Sequence, residues 1–334
     1  MNFNKLALNI AHFLPPEISN KISLESLKLL YKLNILEKAF SIQNLKVKPA
    51  ELMGLSFPNK IGVAGGLDKN ANYFHILGKL GFGFVEVGTI TLKPQKGNPK
   101  PRIHRFAKDK SIVNSLGFNN VGVFQALKNI EKNKTNFNGI LGVSLGKGKE
   151  ILNERAHEDY LHLMDYLYDV SDYLAINISS PNTADLRDLT LDNFFNKLID
   201  KIMNKSEQLS GGSKQKKPII IKISPNESKE NLEKIINYSL ESNVNGFIVT
   251  NTSVDHKYNI PGGVSGLPLK IRAGECLKFV RSITGPTVTL IGSGGLMSEE
   301  DVKERFIMSA DLVQLYSGFI FKGNDLLQDC LKIQ

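Results

Sequence analysis

One phrase recurs eight times after residue 50, and it constrains the fold more than any other feature of the chain. A short apolar, β-branched run is followed by glycine or small polar residues and then by a helical pattern. The runs are KIGVAGG (60–66), FVEVGT (84–89), ILGVSLG (140–146), YLAINISS (173–180), IIIKISP (219–225), GFIVTNT (246–252), VTLIGSGG (288–295) and LVQLYSG (312–318). Continuous rather than alternating apolar runs suit parallel strands buried on both faces. Eight β-then-α units predict an α/β fold, a (β/α)8 TIM barrel. A doubly wound sheet is the alternative, but the glycine fingerprint that opens its first helix is missing. In a barrel the C-terminal strand ends converge on one mouth, where barrel enzymes keep their active sites.

A chain of 334 residues with 41% hydrophobic content accommodates one barrel and an appendage. The net charge of +9 favours anionic partners, yet the lysines are spread along the chain, so nucleic acid is not expected. Cys276 and Cys330 form no C-x-x-C pair, which argues for free thiols in a reducing compartment. The histidines lack ligand spacing, and no metal is expected. No signal or transit peptide is evident, and no apolar run reaches the roughly 20 residues needed to span a bilayer.

Residues 1–45 read as a helical extension ahead of a barrel domain at 46–334. Leu6, Ile10 and Phe13 form one apolar stripe and Leu27, Leu30 and Tyr31 another, with Pro15–Pro16 between them and Ser23 expected to cap the second helix. Such a pair either packs on the barrel or lies at a membrane surface, admitting an apolar ligand. SEQLSGGSKQKKP (206–218) reads as a solvated loop, and SVDHKYNIPGGVSG (253–266) as a mouth-side cover.

The strand ends supply an inventory for the mouth. Lys69 follows GGLD, Thr89 ends the second run, and Asn114, Gly117 and Phe118 lie in NSLGFNN. Ser144, Asn177, Lys222 and the trio Thr250, Asn251 and Thr252 end the next four. The set is rich in amides and hydroxyls, with two lysines and no evident carboxylate. Amides offer donors and acceptors together, as a flat heterocycle with carbonyls and ring N–H groups requires. Lysines suit a carboxylate or a developing anion. The glycines of IGSGG and LYSGF mark a phosphate site near the last two strands. GVSLG also fits G-x-S-x-G, with Ser144 as nucleophile and His256 as its histidine, but the required order of elements is absent.

The chain resembles the quinone-linked second class of dihydroorotate dehydrogenases. The likeness runs through AGGLDKN, GFGFVEVGTITLKPQKGNPKPR, NSLGFNN, INISSPNTADLR, IKISP, TNTSVD, GGVSGLPL, IGSGG and LVQLYSGFIFKG. It implies a barrel holding FMN that oxidises dihydroorotate to orotate in pyrimidine synthesis and passes electrons to a membrane quinone. Ser180 is then the base that takes the C5 proton while hydride leaves C6. Lys69, Asn114, Ser115, Leu116 and Gly117, with Phe118, Asn177, Asn182, Asn251 and Thr252, hold the substrate. Gly65, Gly66, Leu67, Asp68 and Lys69, with Thr89, Ser144, Asn177 and Lys222, contact FMN. Thr250, Gly266, Gly295, Tyr316 and Ser317 complete that set.

A serine is a poor base at its free pKa, and Thr183 and Phe118 are the candidates for the environment that activates it. Serine rather than cysteine at this position, together with the helical extension, indicates the second class. The extension then forms an apolar tunnel, with Arg105 near the quinone head group. The resemblance also implies a monomer held peripherally on the cytoplasmic side of a bacterial inner membrane. Two departures stand out. Ser144 replaces a family asparagine, and PEISN lacks the family's A-H pair after P-E.

Overall fold

The computed structural model describes residues 3–40, 42, 47–182, 186–211 and 216–334. Eight parallel strands close into a barrel: β1 (Ile61–Val63), β2 (Phe84–Ile90), β3 (Ile140–Leu145), β4 (Tyr173–Asn177), β5 (Ile219–Ile223), β6 (Gly246–Val249), β7 (Thr289–Ser293) and β8 (Leu312–Leu315). Sequence neighbours pair throughout, and β8 returns to β1 with Val313 opposite Ile61, so no edge remains. All eight runs read from the sequence are barrel strands.

Alternation along each strand explains why nearly every residue in these runs is apolar and why the polar ones cluster at one end. Val85, Val87, Leu141, Val143, Leu174 and Ile176 face outward into the main core, against the helices. Phe84, Tyr173, Ala175, Ile220, Ile248, Ile291 and Leu312 form a separate apolar layer that fills the barrel bottom. Gly62 and Gly142 make room there, because a Cβ at either would overlap the Phe84 or Tyr173 ring. Moving two residues up each strand changes the chemistry: Phe84 gives way to Glu86, Ile220 to Lys222 and Leu312 to Gln314, all three buried. Chain direction therefore converts an apolar plug into a polar floor.

The helices follow from equally local rules. In Ala156–Leu167, Ala156, Tyr160, Leu163, Met164 and Leu167 are buried, a period of three to four residues that lays one face on the sheet. Ser228 and Ser298 cap their helices by accepting from the N–H of Asn231 (3.1 Å) and Asp301 (3.2 Å).

Three features depart from the sequence reading. The second helix, α2, spans Pro16–Lys32 after α1 at Phe3–Phe13, so Ser23 is mid-helix and not a cap. Pro16 opens it instead, since proline at the first turn has a pre-set φ and no N–H to lose. The segment 206–218 is not all loop: the helix Asp192–Ser210 runs through Ser206, which is buried against Tyr168. The mouth also carries an unforeseen sheet, in which Ser111–Asn114 pairs antiparallel with both Ile103–Phe106 and Gly263–Gly266. Tyr258, in the loop leading to the third strand, stacks on Phe106 at 4.0 Å and donates to Asp109 at 2.8 Å.

Candidate functional site

A cavity of about 980 Å³, its open mouth included, occupies the C-terminal end of the barrel. Lys69, Asn114, Leu116, Gly117, Phe118, Asn177, Ser180, Asn182, Asn251 and Thr252 all line it. So do Gly65, Gly66, Thr89, Lys222, Thr250, Gly266, Gly295, Tyr316 and Ser317.

The amides are held by one another. Asn182 Nδ2 donates to Asn114 Oδ1 at 3.1 Å, and Asn251 Nδ2 to Ser179 Oγ at 3.1 Å. Asn177 Nδ2 donates to Thr89 Oγ1 at 2.8 Å. Each such bond fixes which end of an amide is left over. Asn182 Oδ1 and Thr252 Oγ1 are buried, line the cavity and have no protein partner among the described residues. A buried polar atom without a partner is costly, by about 1–3 kcal/mol, so these two atoms mark where a ligand's polar groups belong. The Ser180 hydroxyl is buried, and its Oγ accepts the Asn182 N–H at 3.3 Å. Thr183 lies outside the described residues.

Lys69 donates from Nζ to the Gly66 carbonyl at 2.7 Å. Burial pushes its pKa down to about 8, and the nearby Arg102 pushes the same way, while Glu17 and Asp68 act against them. The ammonium is thus held ready for an anion and is sensitive to its neighbours.

Four residues expected at the cup stand elsewhere. Asp68 does not line the cavity; its carboxylate accepts the N–H groups of Asn72 (2.9 Å), Tyr73 (2.7 Å) and Phe74 (2.8 Å) and so caps the helix Phe74–Leu80. Ser144 is buried one step behind the wall, with its Oγ 3.0 Å from Thr89 Oγ1. A serine is too short to reach past Thr89, and burial within β3 leaves the nucleophile-elbow reading without support. Ser115 contributes main chain only, its N–H meeting the Arg102 carbonyl at 2.9 Å. Leu67 lines a neighbouring apolar cavity instead, the same cavity in which Arg105, expected at an apolar tunnel, is found.

The polar floor was not foreseen. Glu86 is fully buried, and Lys222 Nζ lies 3.4 Å from its Oε1. Gln314 donates to Glu86 Oε2 at 2.9 Å, and the Tyr173 hydroxyl meets the same oxygen at 3.4 Å. The carboxylate fixes Lys222 pointing into the cavity from below. A lone acid in FVEVG, two residues beyond the inward Phe84, was the signal for it.

The second cavity lies between α1, α2, the strand Ile103–Phe106 and the helix Ser317–Lys322. Leu8, Ile10, Leu24, Leu27 and Leu30 make it mainly apolar, and it shares Asn114 and Tyr316 with the first. Arg105 Nη2 donates to the carbonyls of His12 (2.6 Å) and Leu14 (3.0 Å), closing the C-terminal end of α1. Burial lowers both its pKa and that of His12.

Comparison with known proteins agrees with this architecture. The family model described as dihydroorotate dehydrogenase matches residues 47–332. A relative named dihydroorotate dehydrogenase (quinone), from Legionella pneumophila, is 40% identical over 297 residues, covering 87% of this chain and 89% of its own. One of the same name from Acinetobacter baylyi is 37% identical over 333 residues, covering 98% of each. The crystal structure of the Eimeria tenella enzyme in complex with ferulenol superimposes with a TM-score of 0.85 at 30% identity, over 95% of this chain and 90% of that one.

Proposed function

This chain belongs to the dihydroorotate dehydrogenase family, and from that membership we propose that it oxidises dihydroorotate to orotate with a quinone as final acceptor, a step of pyrimidine synthesis. The observation that carries the reading is the junction of two unlike cavities. A cup of neutral amides and one apolar channel share Asn114 and Tyr316 as their common wall.

Dihydroorotate is a pyrimidine with carbonyls, ring N–H groups and one carboxylate. Asn114, Asn177, Asn182, Asn251 and Thr252 match the ring, with Asn182 Oδ1 and Thr252 Oγ1 free to pair with it. Lys69 meets the carboxylate while protonated. Ser180 takes the C5 proton as its own hydroxyl proton leaves to solvent at the open mouth of the cup. The Asn182 N–H on its Oγ stabilises negative charge as it develops there, which a hydroxyl base requires. Phe118 walls the cup and, with the ring in place, keeps water from the reacting carbons.

The residues fit FMN as the group that receives the C6 hydride when bound. Lys222 offers positive charge and Gln314 Oε1 an unmatched acceptor on the floor, which suits a pyrimidine edge bearing carbonyl oxygens and an N–H. Main-chain groups around Gly295, Tyr316 and Ser317 suit its phosphate. Thr89, Thr250, Gly65, Gly66 and Gly266 complete the wall, and Ser144 acts through Thr89.

Residues 1–45 form the extension that admits quinone, with Arg105 at the channel. No helix among the described residues is long and apolar enough to cross a membrane. Ile10, Phe13, Ile18, Ile22, Leu29 and Leu33 are nevertheless exposed, and Phe13 is 91% so. An amphipathic pair with this much bare apolar surface suits a peripheral seat on a bilayer, the inner membrane of a bacterium, for a monomer.

The test is spectroscopic. Purified protein loaded with FMN and mixed anaerobically with dihydroorotate should bleach the flavin band, and a quinone should restore it far faster than fumarate or NAD. No bleaching, or recovery only with fumarate or NAD, would refute the reading.

A further inference from the structure

We propose that Glu17, on the N-terminal extension, is a positioning residue for the dihydroorotate pocket, acting through Arg102 and Asn98 on both its shape and its charge. The proposal rests on the substrate reading above and gives the extension a second task beside the quinone channel.

The contacts are continuous. Glu17, in the first turn of α2, accepts from Arg102 Nε at 2.9 Å. Arg102 is only 6% exposed, and its Nη1 donates to the carbonyls of Lys96 (2.6 Å) and Asn98 (3.1 Å). Asn98 continues the chain, with Nδ2 donating to the carbonyls of Ser115 (2.9 Å) and Asn182 (3.1 Å). Its amide also packs on Gly117, where φ is +67° and a Cβ would lie 2.8 Å from the Asn98 side chain. The two loops that deliver Asn114 and Asn182 are therefore clipped together by one amide. That amide's own backbone is held by an arginine whose counter-ion sits on the extension.

Charge runs along the same path. Arg102 acts on Lys69 as a like charge, and Glu17 opposes it. Asp68 also opposes it, and the exposed Lys100 approaches Glu17 at 4.0 Å. Without the Glu17 carboxylate, Arg102 is less balanced and Lys69 releases its proton at lower pH. A role confined to the channel, or to stability, involves neither loop shape at the substrate nor the charge state of Lys69.

The experiment uses the full-length FMN-loaded protein, with orotate binding followed by flavin absorbance from pH 6 to 9.5. Glu17→Gln should weaken orotate roughly tenfold at pH 8, the scale of one charge-assisted hydrogen bond, and move the alkaline loss of binding to lower pH. Asn98→Ala should weaken orotate with the alkaline limb unmoved, since it breaks the clip and leaves the charges. Reoxidation of the reduced protein by quinone should stay within about twofold in both. Unchanged orotate affinity and pH limb in Glu17→Gln, or slowed quinone reoxidation alone, would overturn the proposal. So would wild-type orotate binding by Asn98→Ala, which decides the matter even if Glu17→Gln does not fold. A parent protein that bleaches with dihydroorotate while both variants bind orotate normally counts against the relay alone; a parent that binds no orotate counts against the substrate reading.

Discussion

Replacing Glu86 by glutamine isolates the charge beneath the cavity, because glutamine keeps the shape and can still bond to Tyr173 and Gln314. Lys222 Nζ is 3.4 Å from Glu86 Oε1, with Glu86 at 0% and Lys222 at 6% exposure. At an effective dielectric of about 20, that separation corresponds to an attraction of about 5 kcal/mol. Desolvation of both ions offsets much of it, and removing one partner of a buried pair typically costs about 3–5 kcal/mol. We expect Glu86→Gln to lose about 3 kcal/mol in urea unfolding without added FMN, with the denaturant slope unchanged. The double variant Glu86→Gln/Lys222→Met should recover about 2 kcal/mol of that, because no charge is then left stranded. A loss below about 1 kcal/mol, or single effects that simply add, would show that the pair is not coupled and that Glu86 does not hold Lys222.

Other consequences are simpler to measure. Burial pushes the His75 pKa down to about 4, so the unfolded chain, with a histidine near 6.5, takes up the proton first. His75 therefore lowers stability as pH falls from about 6.5 towards 4, by up to about 3 kcal/mol, and is silent above that window. His75→Asn should flatten this part of an acid-unfolding curve, and an unchanged curve would exclude it. Phe13 is 91% exposed at the end of α1. Phe13→Asp should lower sedimentation with lipid vesicles at least severalfold while leaving flavin bleaching by dihydroorotate intact; equal vesicle binding would remove Phe13 from the membrane contact.

The barrel was legible because the strands are short, apolar on both faces and closed by glycine or small polar residues, and that pattern survives any detail of packing. The cup was legible for a related reason: amides at strand ends have no structural need to be there. What escaped was whatever depends on two distant segments meeting. The three-stranded sheet at the mouth joins 103–106 and 111–114 to 263–266, a pairing no local pattern announces. Asp68 carries the right motif, yet its carboxylate faces three N–H groups at a helix start. Glu17 and Arg102 are 85 residues apart, and each alone reads as a solvated charge. The Ser23 cap failed because Pro16 supplies a stronger start signal seven residues earlier. Ser144 drew notice through its departure from the expected asparagine, and only the folded chain brings its hydroxyl to 3.0 Å from Thr89 Oγ1.

In the proposed reaction Ser180, among uncharged amides, removes a proton from a pyrimidine already bound. Stopped-flow mixing of FMN-loaded Ser180→Ala with dihydroorotate under nitrogen tests it most directly, with an orotate titration of the same sample as control. Flavin reduction should slow about a thousandfold with orotate affinity within a few-fold of the parent, the scale of losing a positioned base. Reduction at a near-parental rate, with orotate still bound, would contradict it.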